Sequence, residues 1–344
     1  MAVASSIDCS SADCSRTFFS QPPSLVGNAV LLALFAALIP GALVLGTRYK
    51  GLWFAGAITI GLSLEVAGYV GRLLLRGDPT SRADFAVFLA GTTLGPTCIC
   101  GAIFSIVPRI VAIYGEQYRS WRPVWYLLIF SVLTVVSLVL EFAGSVISTI
   151  RDAPTVIDTG PRLLVAGLAV QLVALIIFAM HAILFSIALR MRQRGLDPEY
   201  ALIYTSGLFK SFLFALTIAT ALVVLRTAYR TVQIAEGFQS SIARAETLFL
   251  VLDGAAVLAS AILLLAFFPG RVFGRSWSET SIRRMSPEPR RQIYPVHDRF
   301  PISCPSQTYD PMSMKSPMST YSPMKTNYSA PSSQRYMVDS DNLW

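Results

Sequence analysis

The amino-acid sequence predicts an all-α, polytopic membrane protein: a seven-transmembrane-helix bundle followed by a disordered C-terminal tail. Three observations carry this. The chain is oily, with 53% of its 344 residues hydrophobic and a mean hydropathy of +0.56. It is poor in charge, 14% against roughly 25% in soluble domains, too little to cover a water-soluble fold of this size. Its apolar residues also fall into seven runs near the length of about 20 residues that a spanning helix needs. A soluble enzyme is disfavoured on the same grounds. The formal net charge of +8 invites a nucleic-acid reading, but basic nucleic-acid modules are polar and this chain is not.

Residues 1–23 form an N-terminal tail without the basic-then-apolar order of a cleaved signal peptide, so the first run is expected to act as an uncleaved anchor. The runs cover about 25–46, 52–74, 85–113, 124–148, 163–189, 208–229 and 247–268, giving a transmembrane domain over 24–269. The third contains Gly95-Pro96 and Pro108, read as kinks that neighbouring helices or hydroxyl side chains would satisfy. Residues 270–344 change phase to Pro, Ser, Met and Tyr without apolar periodicity. Such a stretch cannot bury enough to offset its ordering entropy, so a disordered tail is expected. There Ser286, Ser316 and Ser322 each precede Pro. They are candidate phosphosites of a regulatory tail, with a plain solvated tail as the other reading.

Orientation follows from counting cations on the two sides. Arg48, Lys50, Arg119, Arg122, Arg190, Arg192 and Arg194 lie on one side; Arg16, Arg76, Arg82, Arg151, Arg162 and Arg244 lie on the other. Arg271 and Arg275 after the last run, and Arg109 ending the third, tip this near tie. The N-terminus is expected outside and the C-terminus in the cytosol, with the plasma membrane as the expected location. Cys9 and Cys14, in the outer tail, are then a candidate disulfide. Cys98 and Cys100 are expected as buried thiols. With only His181 and His297 in the chain, placed in different compartments, no metal site is expected, and no cofactor.

Ionisable residues inside spans are costly and mark candidate sites. In Glu65-Val-Ala-Gly-Tyr-Val-Gly-Arg72, the i, i+3, i+4, i+7 spacing puts Glu65, Gly68, Tyr69 and Arg72 on one helix face. The phrase Leu64-Glu-Val-Ala-Gly68 is echoed by Leu140-Glu-Phe-Ala-Gly144, a short internal repeat of two helices running the same way. The sixth run ends in Arg226-Thr-Ala-Tyr-Arg230, and the seventh opens with Glu246 and carries Asp253, seven residues on and on one α-helical face. With an outer N-terminus, Glu65, Arg72, Glu141, Arg226, Arg230, Glu246 and Asp253 all fall in the outer half of the bundle. Facing lipid they would be very costly, so they are expected to pair around a polar cavity that opens outward. The candidate substrate-binding residues are therefore Glu65, Tyr69, Arg72, Glu141, Arg226, Tyr229, Arg230, Glu246 and Asp253. Structural ion pairs that fix helix register, and a proton relay through Glu65 or Asp253, are the competing readings.

Several classes lose support. No Lys lies in 247–268 for a retinal Schiff base, and Val107-Pro108-Arg109 and Phe267-Phe268-Pro269-Gly270 do not resemble receptor switch motifs. No phosphate loop ending in Lys-Ser/Thr is present, and no hydrolase elbow or catalytic residue is identified; the chain is not expected to be an enzyme.

Three blocks carry a family resemblance. The first is Pro23-Ser-Leu-Val-Gly-Asn28, Gly46-Thr-Arg48 and Glu65 to Arg72; the second is Pro96, Ala102-Ile-Phe104 and Arg109. The third, and most specific, is Leu225-Arg-Thr-Ala-Tyr-Arg230 through Glu236-Gly-Phe238, Glu246 to Asp253-Gly254, and Pro269-Gly270. Over about 18–272 the chain resembles the fungal lipid-translocating exporter family, also called resistance-to-aminocholesterol-like. The resemblance implies seven spans, an outer N-terminus, and roles in sphingoid long-chain base release, resistance to toxic amphiphiles or porphyrin uptake. Gln233, Glu141, Gly95 and Phe104 depart from the family pattern. The expectation is a transporter or exporter of amphipathic molecules (lipids, long-chain bases or hydrophobic toxins). The alternative is a seven-span sensor or regulator of lipid asymmetry signalling through its tail. The expected partners are membrane lipids or amphipathic small molecules, not nucleic acid.

Overall fold

A computed structural model describes residues 23–114, 123–150, 158–191, 205–237, 240 and 244–274. The expected Cys9, Cys14, Ser286, Ser316 and Ser322 lie outside the described residues. Each apolar run forms a helix: α1 (Leu25–Arg48), α2 (Leu52–Leu74), α3 (Arg82–Tyr114), α4 (Pro123–Ile147), α5 (Thr159–Met191) and α6 (Gly207–Ala235). The seventh, here α7, is a composite: one α turn (Glu246–Leu248), a π segment (Phe249–Ala255) and an α segment (Ala256–Ala266). A short α8 (Pro269–Phe273) follows, so packed chain continues past residue 269. Seven of these stretches are long and apolar enough to cross a membrane. The chain is thus an all-α, multi-pass membrane protein, with long apolar side chains such as Trp53, Val26 and Phe214 left on its outer surface where lipid can cover them.

The first turn explains the antiparallel start. Only Tyr49, Lys50 and Gly51 separate α1 from α2. Tyr49 N–H bonds the Leu45 carbonyl at 3.0 Å and Gly51 N–H the Gly46 carbonyl at 3.1 Å, which closes the helix end. Lys50 pays for this with a φ of 53°, a left-handed conformation uncommon outside Gly and Asn.

Helix pairs then lock through small residues, as apolar driving force between helices is weak in lipid and close backbone approach takes its place. On α2, a Cβ at Gly68 would lie 2.8 Å from Thr92 N of α3, and one at Gly71 would lie 2.7 Å from Phe88 N. On α4, a Cβ at Gly144 would lie 2.7 Å from Leu164 N of α5. The internal repeat in the sequence is therefore a repeated packing arrangement. Gly61, Glu65 and Gly68 meet α3 as Ser137, Glu141 and Gly144 meet α5. Gly95 and Gly167 are the matching partners: a Cβ on either would lie 2.9 Å from the Cγ of Glu65 or Glu141 respectively.

Pro96 and Pro108 both lie inside α3, which is helical from Arg82 to Tyr114. Pro40 is likewise inside α1. At the far end, Phe268 packs edge-on against Phe54 at 5.4 Å between ring centroids. Phe273 of α8 meets both Phe209 and Phe212 of α6 at 5.7 Å.

Candidate functional site

The N-terminal end of α7 is where sequence and local structure part company. Glu246 and Asp253 share a face only if the intervening helix is α. Instead, Ala256 N–H reaches back to the Val251 carbonyl, the wider i→i−5 pattern of a π segment, a feature that recurs at functional sites. The wider turn aims Phe249, Asp253 and Gly254 into the protein. Gly254 packs closely there: a Cβ would fall 2.5 Å from the Tyr69 hydroxyl, so Tyr69 and Leu31 would have to shift to admit one.

Asp253 meets Arg226 of α6: Nε donates to Oδ1 at 2.7 Å, with both side chains essentially sealed from solvent. Arg226 Nη2 also donates to the backbone carbonyl of Thr92. Pro96 explains that contact. Four residues after Thr92, it has no N–H to offer that carbonyl, so α3 carries an open acceptor at the level of Arg226. Beside it, Arg230 donates through Nη2 to Thr92 Oγ1 at 2.9 Å and through Nη1 to Gln233 Oε1 at 2.8 Å.

Arg72 lies at the rim. Its Cζ sits 3.7 Å over the Phe249 ring and 5.2 Å from the Phe88 centroid, within cation–π range. Its Nη2 is 3.7 Å from Glu246 Oε1. The same Glu246 oxygen accepts from Ser24 N–H at 2.6 Å and from Asn28 Nδ2 at 3.2 Å, tying the start of α1 to α7. The Glu246 side chain is 29% exposed; Glu65, Tyr69, Arg72, Arg226, Arg230 and Asp253 are all buried. The structure thus brings these predicted residues together, with all but Glu246 buried.

Glu65 and Tyr69 line the inner side of this cluster. Tyr69 stacks on Phe35 with centroids 5.6 Å apart, and Glu65 interacts electrostatically with Asp253, Arg226 and Arg230. Among the described residues, Glu65 Oε1, the hydroxyls of Tyr69 and Tyr229, Arg226 Nη1 and Arg230 Nε have no hydrogen-bond partner. Buried polar atoms are normally satisfied, so a group of orphans in one place calls for a partner such as water, an ion or a ligand group.

Glu141 belongs to a separate network. Thr97 Oγ1 is 2.8 Å from its Oε2 and Ser137 Oγ is 2.9 Å from its Oε1. Thr97 also reaches Gln171 Oε1 at 2.9 Å, and Gln171 Nε2 donates to Cys100 Sγ at 3.0 Å. Cys100 is buried as expected, whereas Cys98 is only partly so. Thr92, Gln171, Phe88 and Phe249 carry no charge and escaped the sequence reading; the proline four residues after Thr92 was the one available signal.

Comparison with known proteins identifies relatives of this chain. The chain is 25% identical over 285 residues to the sphingoid long-chain base transporter RSB1 of Saccharomyces cerevisiae (strain Lalvin EC1118 / Prise de mousse), covering 74% of each chain. It is 23% identical over 228 residues to protein RTA1 of S. cerevisiae (strain ATCC 204508 / S288c), covering 64% of this chain and 69% of that one. It is 24% identical over 218 residues to protoporphyrin uptake protein 1 of the same strain, covering 62% and 67%. No solved structure matches. The model of the family described as RTA1 like protein matches residues 58–276, which include every cluster residue from Glu65 to Asp253; the chain belongs to the RTA1-like family of multi-pass membrane proteins.

Proposed function

We propose that this protein is a carrier, not an enzyme, that exports amphipathic molecules such as sphingoid long-chain bases, related lipids or hydrophobic toxins. The observation that carries this reading is the enclosed cluster of Glu65, Asp253, Arg226 and Arg230 with orphaned polar atoms. Such atoms inside an apolar bundle suit a polar headgroup whose tail runs along lipid. Similarity to a sphingoid long-chain base transporter supports the amphipathic substrate class. The cation distribution supports an outer N-terminus and a cytosolic C-terminus, and a plasma-membrane location fits release to the outside.

The test is reconstitution of the purified protein in liposomes with a labelled long-chain base. Protein-dependent movement between leaflets supports a carrier. Its absence, with correctly inserted protein, would sink the proposal. A tag accessible to protease from outside intact cells at the N-terminus, and not at the C-terminus, checks the orientation.

A further inference from the structure

The repeated helix pairs supply an internal control on two carboxylates. Glu141 and Glu65 stand at matching positions, each packed against a glycine of the following helix. Residue 137, one turn before Glu141, is a serine whose Oγ reaches both Glu141 Oε1 at 2.9 Å and the Gly167 carbonyl at 2.8 Å. Its counterpart is Gly61, whose absent Cβ would lie 2.8 Å from the matching Gly95 carbonyl. The first pair is thus closed too tightly to carry the hydroxyl that serves the second. Glu65 Oε1 is left without a partner.

None of the surrounding charged groups donates a hydrogen bond to Glu65 Oε1. From α6, Arg226 bonds Asp253 and the Thr92 carbonyl and Arg230 bonds Gln233 and Thr92 Oγ1; both lie within electrostatic reach of Glu65, and Arg226 Nη1 and Arg230 Nε are themselves unpaired. From α7, Asp253 brings a second negative charge. On α2 itself, Arg72 faces Glu246 and the Phe249 ring, and Tyr69 offers a hydroxyl that also lacks a partner. From α3, the Cys98 Cβ would lie 3.5 Å from a Cβ at Gly61. The ionisable residue of α1 is Arg48, at the opposite end of that helix.

We propose that Glu65, with Tyr69 beside it, is a proton-exchange site that couples movement of substrate to movement of a proton. A buried carboxylate oxygen without a donor, as Glu65 Oε1 is, is costly and is relieved by a proton or a cation. Packing of Gly95 against the Glu65 Cγ leaves little room, and a proton needs none. A proton and a substrate ammonium cannot both occupy one carboxylate. Loading of an amine headgroup in a more open conformation therefore releases H⁺ from Glu65, and departure of the headgroup lets H⁺ return. The coupling rests on the carrier reading above; the protonated state of Glu65 does not.

Two measurements separate them. Infrared difference spectra of the purified full chain, taken across a pH titration, should show the carbonyl stretch of a protonated carboxylic acid. That band should be lost in Glu65→Gln, shifted in Glu65→Asp and retained in Glu141→Gln. A Glu65→Gln spectrum identical to that of the unmodified chain at every pH overturns the proposal, whatever the transport result. In liposomes, an imposed pH gradient should drive accumulation of labelled long-chain base by the unmodified chain and not by Glu65→Gln. Accumulation that ignores the gradient in the unmodified chain overturns the coupling while leaving the carrier reading intact. A monodisperse Glu65→Gln protein with an unchanged helical spectrum confirms that its losses are not unfolding.

Discussion

Arg226 and Asp253 form an ion pair at 2.7 Å between α6 and the π segment of α7, with both side chains excluded from solvent. Removing one partner of such a pair strands the other charge, at a typical cost of about 3–5 kcal/mol. Asp253→Asn should therefore lower the thermal unfolding temperature in detergent as well as impair transport. The double change Arg226→Met with Asp253→Leu should recover most of that stability. Full stability in Asp253→Asn alone would mean the pair does not hold α6 to α7.

Recovery in the double variant should stop short, because Arg226 also serves the Thr92 carbonyl that Pro96 leaves open. An orphaned buried acceptor costs about 1–3 kcal/mol. Adding Pro96→Ala to the double variant supplies the missing N–H and should restore the remainder. The same Pro96→Ala change in the unmodified chain sets the new N–H against Arg226 for one carbonyl. It should lower transport more than it lowers stability. Equal effects of Pro96→Ala in the two backgrounds, read as unfolding temperatures, would disprove the link.

Seven helices, and the burial of Glu65, Arg72, Arg226, Arg230 and Asp253 in one half of the bundle, were legible because both follow from hydropathy and helical period. The identity of each partner was not. Asp253 points where it does because α7 widens to a π turn, which a period of 3.6 cannot anticipate. Glu141 reads like Glu65 in sequence, yet one has two hydroxyls within reach and the other has an orphaned oxygen. That difference rests on Ser137 against Gly61, residues one turn away whose meaning appears only when α4 is set against α5 and α2 against α3.

Glycines on the helix seams and glycines facing outward should respond oppositely to one added methyl. At Gly68 and Gly144 a Cβ meets backbone nitrogen at 2.8 Å and 2.7 Å, whereas at Gly41 and Gly56 nothing lies within 4 Å. Gly68→Ala and Gly144→Ala should each destabilise by about 1–3 kcal/mol through overpacking. Gly41→Ala and Gly56→Ala should be neutral or mildly stabilising, since Ala is the better helix former. Thermal unfolding of the four variants in one detergent checks this, and equal behaviour would refute the close-packed seams.

Truncation after residue 275 distinguishes a carrier from a tail-signalling sensor. The last described packing, Phe273 against Phe209 and Phe212, precedes the cut, so every described contact survives deletion of 276–344. The proton-exchange cluster is equally untouched, since its members lie between Glu65 and Asp253. Cells carrying the truncated chain at normal surface level should keep efflux of labelled long-chain base and resistance to it. A carrier whose work is done by helix pairs needs no tail for turnover, only for regulation of its amount or rate. Complete loss of efflux with surface level unchanged would favour the sensor, because a tail-signalling sensor must pass its signal through 276–344 while a substrate need not.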